Sequence, residues 1–199
     1  MMGHAGMAAE AVRHLRTASA VVATPRPELR AVRDDERAPV PAAEMRRVMG
    51  HFATGVAVIT TEDEEGPAGF ACQSVASLSL EPPLVVFMVG RTSTTWPRIA
   101  RTGTFCVNVL SADQGALCSG FAVSGGDKFA GISYDATSVT GSPRLAGAAA
   151  WVDCRIHAVH TGGDHLIVVG RVEALDARDD EAPPLLFHRG GFGGFSPAG

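Results

Sequence analysis

Two short stretches of the sequence place polar side chains next to strongly apolar runs. Residues 69–79 read GFACQSVASLS, so small or hydroxyl side chains stand where a plain strand would carry Val or Ile. Small side chains let a flat ligand reach backbone N–H groups, and hydroxyls supply further donors. The second stretch, Arg91-Thr92-Ser93-Thr94, offers a guanidinium and three hydroxyls, which suit a phosphate. An edge strand with solvated serines and a polar surface turn are the alternative interpretations.

Other chemistries leave no recognisable pattern. The only lysine, Lys128, does not complete a P-loop, and the glycines of 190–194 lack the strand-to-helix context of a dinucleotide fingerprint. His157, His160 and His165 have no Cys or carboxylate partners at metal-ligand spacing, so no metal site is predicted. No GxSxG elbow occurs, and no pair of carboxylates is placed for acid–base catalysis.

Composition narrows the class of protein. The chain has 199 residues, 46% of them hydrophobic, which suits one globular domain with a real core. Its 17 basic residues are scattered among 21 acidic ones, so neither a nucleic-acid partner nor a membrane is expected. The apolar segment 18–23 is too short for an export signal. Four single cysteines, Cys72, Cys106, Cys118 and Cys154, fit buried, reduced thiols in a cytoplasmic protein.

The N-terminal part divides into a tail and a helix. Residues 1–42 contain no aromatic residue and four prolines, which predicts a flexible tail, with the folded domain at 43–199. Apolar residues then recur at helical spacing, at Met45, Val48, Met49 and Phe52. The other side of this helix carries Arg46, Arg47 and His51. We therefore predict a short amphipathic helix that covers a sheet with its apolar side.

The rest of the pattern is rich in strands. We predict them over residues 55–61, 68–80, 84–89, 104–110, 151–160 and 165–175. A polar connection covers 91–101, and Ser111 is a suitable N-cap for a helix through Phe121. The Gly162-Gly163-Asp164 turn pairs the last two strands as an antiparallel hairpin. Six strands joined by short turns favour a closed antiparallel barrel over a βαβ sheet.

Several separated motifs then resemble one family, the flavin reductase components of two-component flavin-dependent monooxygenases. In order, the motifs are GVAVITT, GFACQSVASLSLEPPLVVF, FCVNVL, DKFAGI, GGDHLIVVGRVEAL and PLLFHRGGF. The resemblance spans about residues 44–195 and is greatest to actinobacterial reductases that serve aromatic or steroid-ring hydroxylases. It implies a mainly β protein, an FMN-binding split barrel of antiparallel Greek-key type, which forms a homodimer. It also implies reduction of FMN or FAD by hydride transfer from NADH or NADPH, and supply of diffusible reduced flavin to an oxygenase partner.

The resemblance also implies site residues. The flavin-contacting strand falls on Phe70, Ala71, Cys72, Gln73, Ser74 and Ser77. The phosphate-binding turn falls on Arg91, Thr92, Ser93 and Thr94, and the flavin tail on Lys128 and Phe129. The catalytic position next to nicotinamide and flavin falls on His165, with Arg189 and Phe192 beside the nicotinamide pocket. One departure is Ala71-Cys72-Gln73, where many relatives carry Thr-Ala-Ser or Thr-Ala-Asn; the choice between FMN and FAD stays open.

Two other functions are compatible with the same barrel. One is a non-catalytic flavin-binding protein, and the other is an oxidase acting directly on an organic substrate, as pyridoxamine-phosphate oxidases do. The presence of His165, Arg189 and Phe192 favours the reductase. Because the cofactors carry hydride chemistry, the protein needs only to bind and orient them, which agrees with the missing nucleophile.

Overall fold

Short strands dominate the part of the chain that the structure describes, residues 40–178 and 182–196 of a computed structural model. The strands are β1 (Thr54–Gly55), β2 (Ala57–Asp63), β3 (Gly66–Cys72), β4 (Val75–Leu80), β5 (Pro83–Gly90), β6 (Thr104–Val109), β7 (Tyr134–Ala136), β8 (Pro143–Leu145), β9 (Ala150–Gly162), β10 (His165–Ala177), β11 (Leu186–His188) and β12 (Gly191–Gly193). The helices are α1 (Ala42–Met49), α2 (Trp96–Thr102) and α3 (Gly115–Ala122). The predicted tail, residues 1–42, falls almost wholly outside the described residues.

Seven strands form one antiparallel sheet, in the order β3–β2–β6–β9–β10–β5–β4. Two smaller sheets are appended to it: β1 with β11 and β12, and β7 with β8. The predicted β9–β10 hairpin is confirmed, with His165 opposite Gly162 across the turn. No helix among the described residues is long and apolar enough to span a membrane.

The two ends of the large sheet meet where β3 gives way to β4. These strands stand at opposite ends of the sheet order, yet only Gln73 and Ser74 separate them in the chain. Ser74 Oγ–H donates to the Met88 carbonyl on β5 at 3.1 Å, and the Cys72 thiol reaches the same oxygen at 3.6 Å. The sheet thus curves round into a split barrel, as predicted.

This closure corrects one prediction. A single strand over residues 68–80 is wrong, because the chain leaves one edge of the sheet at residues 73–74 and continues on the other. The alternation of small and larger side chains runs on through the bend, so periodicity alone does not reveal it.

Strand β2 is buried on both faces, which explains its near-continuous apolar sequence. Ala57 and Ile59 belong to the cluster inside the barrel, whereas Val58 belongs to a second cluster beneath α3. Inside the barrel, the rings of Phe87 and Phe105 meet edge to face with centroids 5.0 Å apart. All four cysteines lie within the described residues, buried and unpaired, as expected.

Helix α2 occupies part of the stretch predicted as a polar connection. Its first turn tolerates Pro97, and Trp96 N–H donates to Ser93 Oγ at 3.2 Å. Gly103, with φ of 70°, ends the helix in the left-handed conformation that glycine adopts without strain. The predicted helix from Ser111 exists, beginning as a 3-10 turn before α3, and Gln114 Oε1 accepts the Ser111 N–H at 3.1 Å.

An ion pair fastens α2 to the β2–β3 hairpin. Arg98 Nε donates to Asp63 Oδ2 at 3.0 Å, and a second guanidinium nitrogen bonds the other carboxylate oxygen. The hydrogen bonds from Arg98 lower the pKa of Asp63 to about 2, assisted by the Glu65 N–H and the charge of Arg101. The same guanidinium donates to the Gly66 carbonyl at 2.6 Å, so the pair closes the hairpin end.

Helix α1 forms where predicted but is oriented differently. None of its residues is buried, and its apolar side chains, at Met45, Val48 and Met49, are each about half exposed. Phe52, just beyond the helix, is 70% exposed. The expectation that the apolar side covers a sheet within the chain is therefore wrong. Helical periodicity shows which side is apolar, but not what that side packs against.

Candidate functional site

The strand predicted to contact flavin is held rigidly at its end. Phe70 is half-buried, its ring 6.1 Å from that of Phe87, so one side of it belongs to the barrel core. Ala71 packs on the second core, and Cys72 is buried. Burial raises the pKa of the Cys72 thiol, which makes it a packing group and not a nucleophile.

Beyond Cys72 the side chains reach solvent. Gln73 is exposed at the bend, and Ser74 uses its hydroxyl to lock β5 in place. Ser77 lies further along β4, exposed and opposite Val85. The structure thus brings Gln73 and Ser74 to the mouth of the barrel and leaves Ser77 on the edge strand.

The turn over residues 91–94 packs directly against the turn that carries His165. Arg91 N–H donates to the Asp164 carbonyl at 3.0 Å, and His165 is paired with Gly90 across β10 and β5. A side chain at Gly90 would come within 4.0 Å of both His165 Nε2 and Thr92 Oγ1. Two separate predicted segments, the phosphate turn and the catalytic turn, are therefore neighbours.

Asp164 fixes the orientation of the His165 ring. His165 Nδ1–H donates to Asp164 Oδ1 at 2.8 Å. This hydrogen bond, together with the charge of His165, lowers the pKa of Asp164, and the charge of Arg46 lowers it further. The ring is half exposed, so Nε2 is the nitrogen left for a ligand.

Lys128 stands at the other end of the 91–94 turn. Its ammonium donates to the carbonyls of Gly69, at 3.2 Å, and Phe121, at 3.1 Å, so one of its three N–H groups has no partner within the described part of the chain. A cavity of about 370 Å³ is shared by Lys128 and Thr94. Burial lowers the pKa of Lys128, which an arriving anion would offset.

Phe129 contributes less directly than the sequence suggests. Its ring is buried between Phe121, at a centroid distance of 5.1 Å, and Tyr134, at 5.3 Å. The neighbouring Asp127 carboxylate accepts the Phe129 N–H at 3.0 Å. The ring therefore belongs to the second core, and its packing keeps Lys128 in position.

The C-terminal hairpin forms a separate wall. Arg189 and Gln73 both line a cavity of about 750 Å³ between α1 and this hairpin. The ring of Phe192 meets that of Phe187 at 5.6 Å and lies against Gly115, while remaining 45% exposed. Arg189 thus joins the end of the predicted flavin strand, whereas Phe192 faces a neighbouring groove with His51 and His188.

Three residues of this region were missed by the sequence analysis. Arg46, His51 and Thr54 line the 750 Å³ cavity, although the helical pattern placed the basic residues on the solvent side. Met49 and Phe52 line the same cavity, so apolar and basic side chains of this segment share it, and helical periodicity carries no signal for that arrangement.

Known proteins resemble this chain over most of its length. A family model described as a flavin reductase like domain matches residues 49–196. The chain belongs to the flavin reductase family. HsaB, the reductase subunit of a flavin-dependent monooxygenase from Rhodococcus jostii (strain RHA1), is 51% identical over 152 residues, or 76% of this chain and 77% of that protein. A flavin reductase of Pseudomonas putida is 47% identical over 152 residues, or 76% and 88%.

Solved structures agree with this membership. The NADH:FAD oxidoreductase SgcE6 of Streptomyces globisporus C-1027, in complex with NAD and FAD fragments, superposes with a TM-score of 0.74 at 36% identity. The match covers 78% of this chain and 93% of that one. The resemblance drawn from the motifs and the predicted split-barrel fold are both confirmed.

The residues present fit a flavin. Lys128 and the Thr94 hydroxyl supply a cation and a donor for a phosphate at one end of the turn, and the Thr92 hydroxyl supplies a donor at the His165 end. The bend at residues 73–74 offers a rigid backbone at the barrel mouth, where a planar ring needs fixed donors. His165 closes the same edge through its contact with the turn.

Proposed function

We propose that this flavin reductase family member reduces FMN or FAD with NADH and supplies the reduced flavin to a partner monooxygenase. The observation that carries this proposal is the junction of the 91–94 turn with the Asp164–His165 turn. A nicotinamide-facing histidine beside a phosphate-binding turn suits hydride transfer between two bound cofactors. The names of HsaB, a monooxygenase reductase subunit, and of SgcE6, an NADH:FAD oxidoreductase, support the same activity and an oxygenase partner.

The proposed roles follow from the contacts. The flavin, when bound, supplies the two-electron chemistry, taking a hydride from a dihydronicotinamide. Phe70, Ala71, Cys72, Gln73 and Ser74 form the rigid end of the strand that faces it. Residues 91–94 and Lys128 bind its phosphate, and the ring of Phe129 supports Lys128.

His165 is proposed as the catalytic positioning group. With Nδ1–H bonded to Asp164, Nε2 is the ring nitrogen directed away from the carboxylate, where it can contact the nicotinamide carboxamide. Arg189 and Phe192 extend the nicotinamide side of the site. Ser77, exposed on edge strand β4 opposite Val85, stays a proposed flavin contact on the strand that follows the bend.

We further propose that the protein is a cytoplasmic homodimer. The exposed apolar side of α1, together with Leu78 at 51% and Leu80 at 89% exposure on edge strand β4, is the kind of surface that a second copy covers. Four unpaired cysteines suit a reducing compartment. Light scattering should give about twice the 20.6 kDa chain mass, and a monomer with flavin bound would contradict the dimer.

The decisive experiment is NADH oxidation by the purified protein with and without added FMN or FAD. We expect turnover only when a flavin is present, with reduced flavin detected anaerobically. No oxidation of NADH at saturating concentrations of either flavin would refute the enzyme. Flavin binding without NADH oxidation would instead indicate the non-catalytic binding protein.

A further inference from the structure

Neither the backbone nor the packing of the chain requires the glycine at residue 90, the last residue of β5. A glycine is required where φ is positive, as at Gly163 with φ of 67°, or where a side chain would collide, as at Gly69, whose added Cβ would lie 2.9 Å from the Phe121 ring. Gly90 has neither property. Its φ is not positive, and the nearest atoms that a Cβ would meet among the described residues are 4.0 Å away, an ordinary contact distance. Alanine could therefore stand here without strain.

Glycine is also a poor choice for the local structure at this position. In a strand, glycine loses more conformational freedom on folding than alanine and has no side chain to pack. Gly90 lies directly opposite His165 in the β5–β10 pair, so the cross-strand contact that a side chain would make is missing. It is also the first residue of a turn in which the Ser93 N–H donates to the Gly90 carbonyl at 2.9 Å, a position where β-turns favour Asp, Asn or Ser.

The two atoms nearest to the missing Cβ both belong to the candidate site. They are Nε2 of His165 and Oγ1 of Thr92, each 4.0 Å from the position of that Cβ. Nδ1 of His165 lies 2.8 Å from Asp164 Oδ1, so Nε2 is the ring nitrogen directed away from this carboxylate. A strand glycine without a conformational or packing role often marks a place where a ligand comes close to the backbone. At Gly90 that place is bounded by a ring nitrogen and a hydroxyl.

A primary carboxamide suits this pair of groups. It carries one carbonyl acceptor and two N–H donors, so it can bond an imidazole nitrogen and a hydroxyl together, whichever of them donates. A side chain at residue 90 would occupy part of the space in front of both groups. The dihydronicotinamide ring carries such a carboxamide beside the carbon that gives up the hydride.

We infer that Gly90 is a specificity-determining residue of the hydride-transfer site, where the absence of a side chain leaves room for the carboxamide of the hydride donor against His165. This role rests on the proposed function, because it takes a dihydronicotinamide as the donor. The pyrimidine edge of flavin also carries carbonyl and N–H groups, so the test must separate the hydride donor from the flavin.

The test compares Gly90→Ala with Gly120→Ala in the full chain. Gly120 is the matched control because it lies exposed on α3, and a Cβ there would meet nothing within 4 Å among the described residues. Each change adds one methyl group at a backbone that alanine can adopt. Thermal unfolding measures stability, and fluorescence titration measures the affinity for FMN and for FAD.

Stopped-flow reduction of the flavin-loaded protein is then measured with three hydride donors. NADH and N-benzyl-1,4-dihydronicotinamide both carry the carboxamide, but only NADH carries the adenosine diphosphate. N-benzyl-3-cyano-1,4-dihydropyridine has a thinner nitrile in place of the carboxamide. The rate of each variant is compared with that of the parent for the same donor, which removes the different intrinsic reactivities of the donors.

We expect Gly90→Ala to melt at the parent temperature or up to roughly 4 °C higher, because alanine restricts the unfolded chain. Its second-order rate constant for flavin reduction should fall about tenfold with both carboxamide donors and less than about twofold with the nitrile donor. Its affinity for flavin should stay within about twofold of that of the parent. Gly120→Ala should match the parent in every binding and rate measurement.

Other results would overturn this role. A lower melting temperature for Gly90→Ala would mean that the fold itself needs a glycine there. Weaker flavin binding, or an equal loss of rate with all three donors, would place the flavin and not the carboxamide against residue 90. Unchanged rates with every donor, in a parent that oxidises NADH, would remove Gly90 from the site and leave the proposed function intact. A parent that oxidises none of the donors would refute the proposed function, and this role with it.

Discussion

Phe87, inside the barrel, is fully buried, whereas Phe192, on the C-terminal hairpin, is 45% exposed. The same difference separates the core of the barrel, meaning the seven-stranded sheet, from most of its appended elements: α1, β7 and the β1–β11–β12 sheet. Strand β8 is an exception, because its Leu145 is buried in the second core. In the barrel, the apolar side chains on the two faces of β2 are buried in two separate clusters. In α1 no side chain is buried, and the helix brings both basic and apolar side chains, Arg46, Arg47 and Met49, to the wall of the cavity.

This contrast assigns different tasks to the two regions. Apolar burial sets the stability of a domain, so the barrel should dominate unfolding measurements. The appended elements supply charge, exposed aromatic surface and a cavity wall, which matter for ligands and partners. Substitutions in the barrel should therefore change stability, and substitutions at its mouth or in the appended elements should change binding and kinetics.

The largest expected effect comes from removing a barrel ring. Phe87→Ala deletes a side chain that touches both Phe70 and Phe105, and should destabilise the protein by about 3–5 kcal/mol. Phe192→Ala should cost well under about 1 kcal/mol, because much of that ring is already in water. Urea unfolding of both variants measures the difference. Equal losses in the free energy of unfolding would show that the barrel and the C-terminal hairpin contribute alike to stability.

Replacing one glycine in each region by alanine tests the same contrast in stability, because it adds a methyl group where the previous pair of variants removes a ring. A Cβ at Gly170 would overlap Cζ of the buried Phe105, whereas at Gly193 it would meet nothing within 4 Å. Gly170→Ala should therefore cost about 1–3 kcal/mol through overpacking, and Gly193→Ala should be near neutral. Thermal unfolding should show a fall of roughly 3–10 °C for Gly170→Ala alone. A neutral Gly170→Ala would mean that the Phe105 ring has room to move.

The sequence predicts these two regions unequally, for a physical reason. β-branched runs such as GVAVITT and the Gly162-Gly163-Asp164 turn encode barrel strands and their pairing locally, so β2 and the β9–β10 hairpin could be located. The bend at residues 73–74 depends on closure of the whole sheet, which no local pattern records. The orientation of α1 depends on what lies next to it.

The candidate site divides in the same way. His165 and the residues of the 91–94 turn could be named because contiguous motifs carry them. Their contact with each other, through the Arg91 N–H and the Asp164 carbonyl, arises from strand pairing between β5 and β10. Arg46 and Thr54 have no motif, and only the assembled fold places them at one cavity.

Substitution of His165 tests whether a residue at the mouth of the barrel affects the kinetics without affecting stability. The backbone of the turn is set by β9 and β10, so His165→Ala should leave the melting temperature nearly unchanged. It should slow flavin reduction, or raise KM for NADH, by about tenfold, equivalent to roughly 1.4 kcal/mol. Asp164→Asn keeps the ring but weakens its orientation, and should cost only about two- to threefold. Stopped-flow reduction with an unchanged rate and NADH dependence for His165→Ala would leave His165 with a purely structural role.

The smallest effects concern two arginine–carboxylate pairs that differ mainly in exposure. Asp63, paired with Arg98 at the barrel hairpin, has a side chain 10% exposed, and Asp135, paired with Arg144 on β7–β8, is 60% exposed. Water screens the outer pair, so Asp135→Asn should leave the melting temperature within error. Asp63→Asn should lower it at neutral pH, because Arg98 then loses its charged partner.

The pH dependence of the inner pair gives the sharper measurement. The pKa of Asp63 is about 2 in the folded protein, against about 3.9 for an unfolded chain. Because the folded-state pKa is depressed, the stabilisation by this carboxylate is complete above about pH 4 and disappears as the pH falls towards 2. The melting-temperature difference between the parent and Asp63→Asn should therefore be constant from pH 5 to 8 and shrink below pH 4. A difference that persists undiminished at pH 2 would mean that Arg98 does not hold the Asp63 charge, and that the barrel hairpin is closed by packing alone.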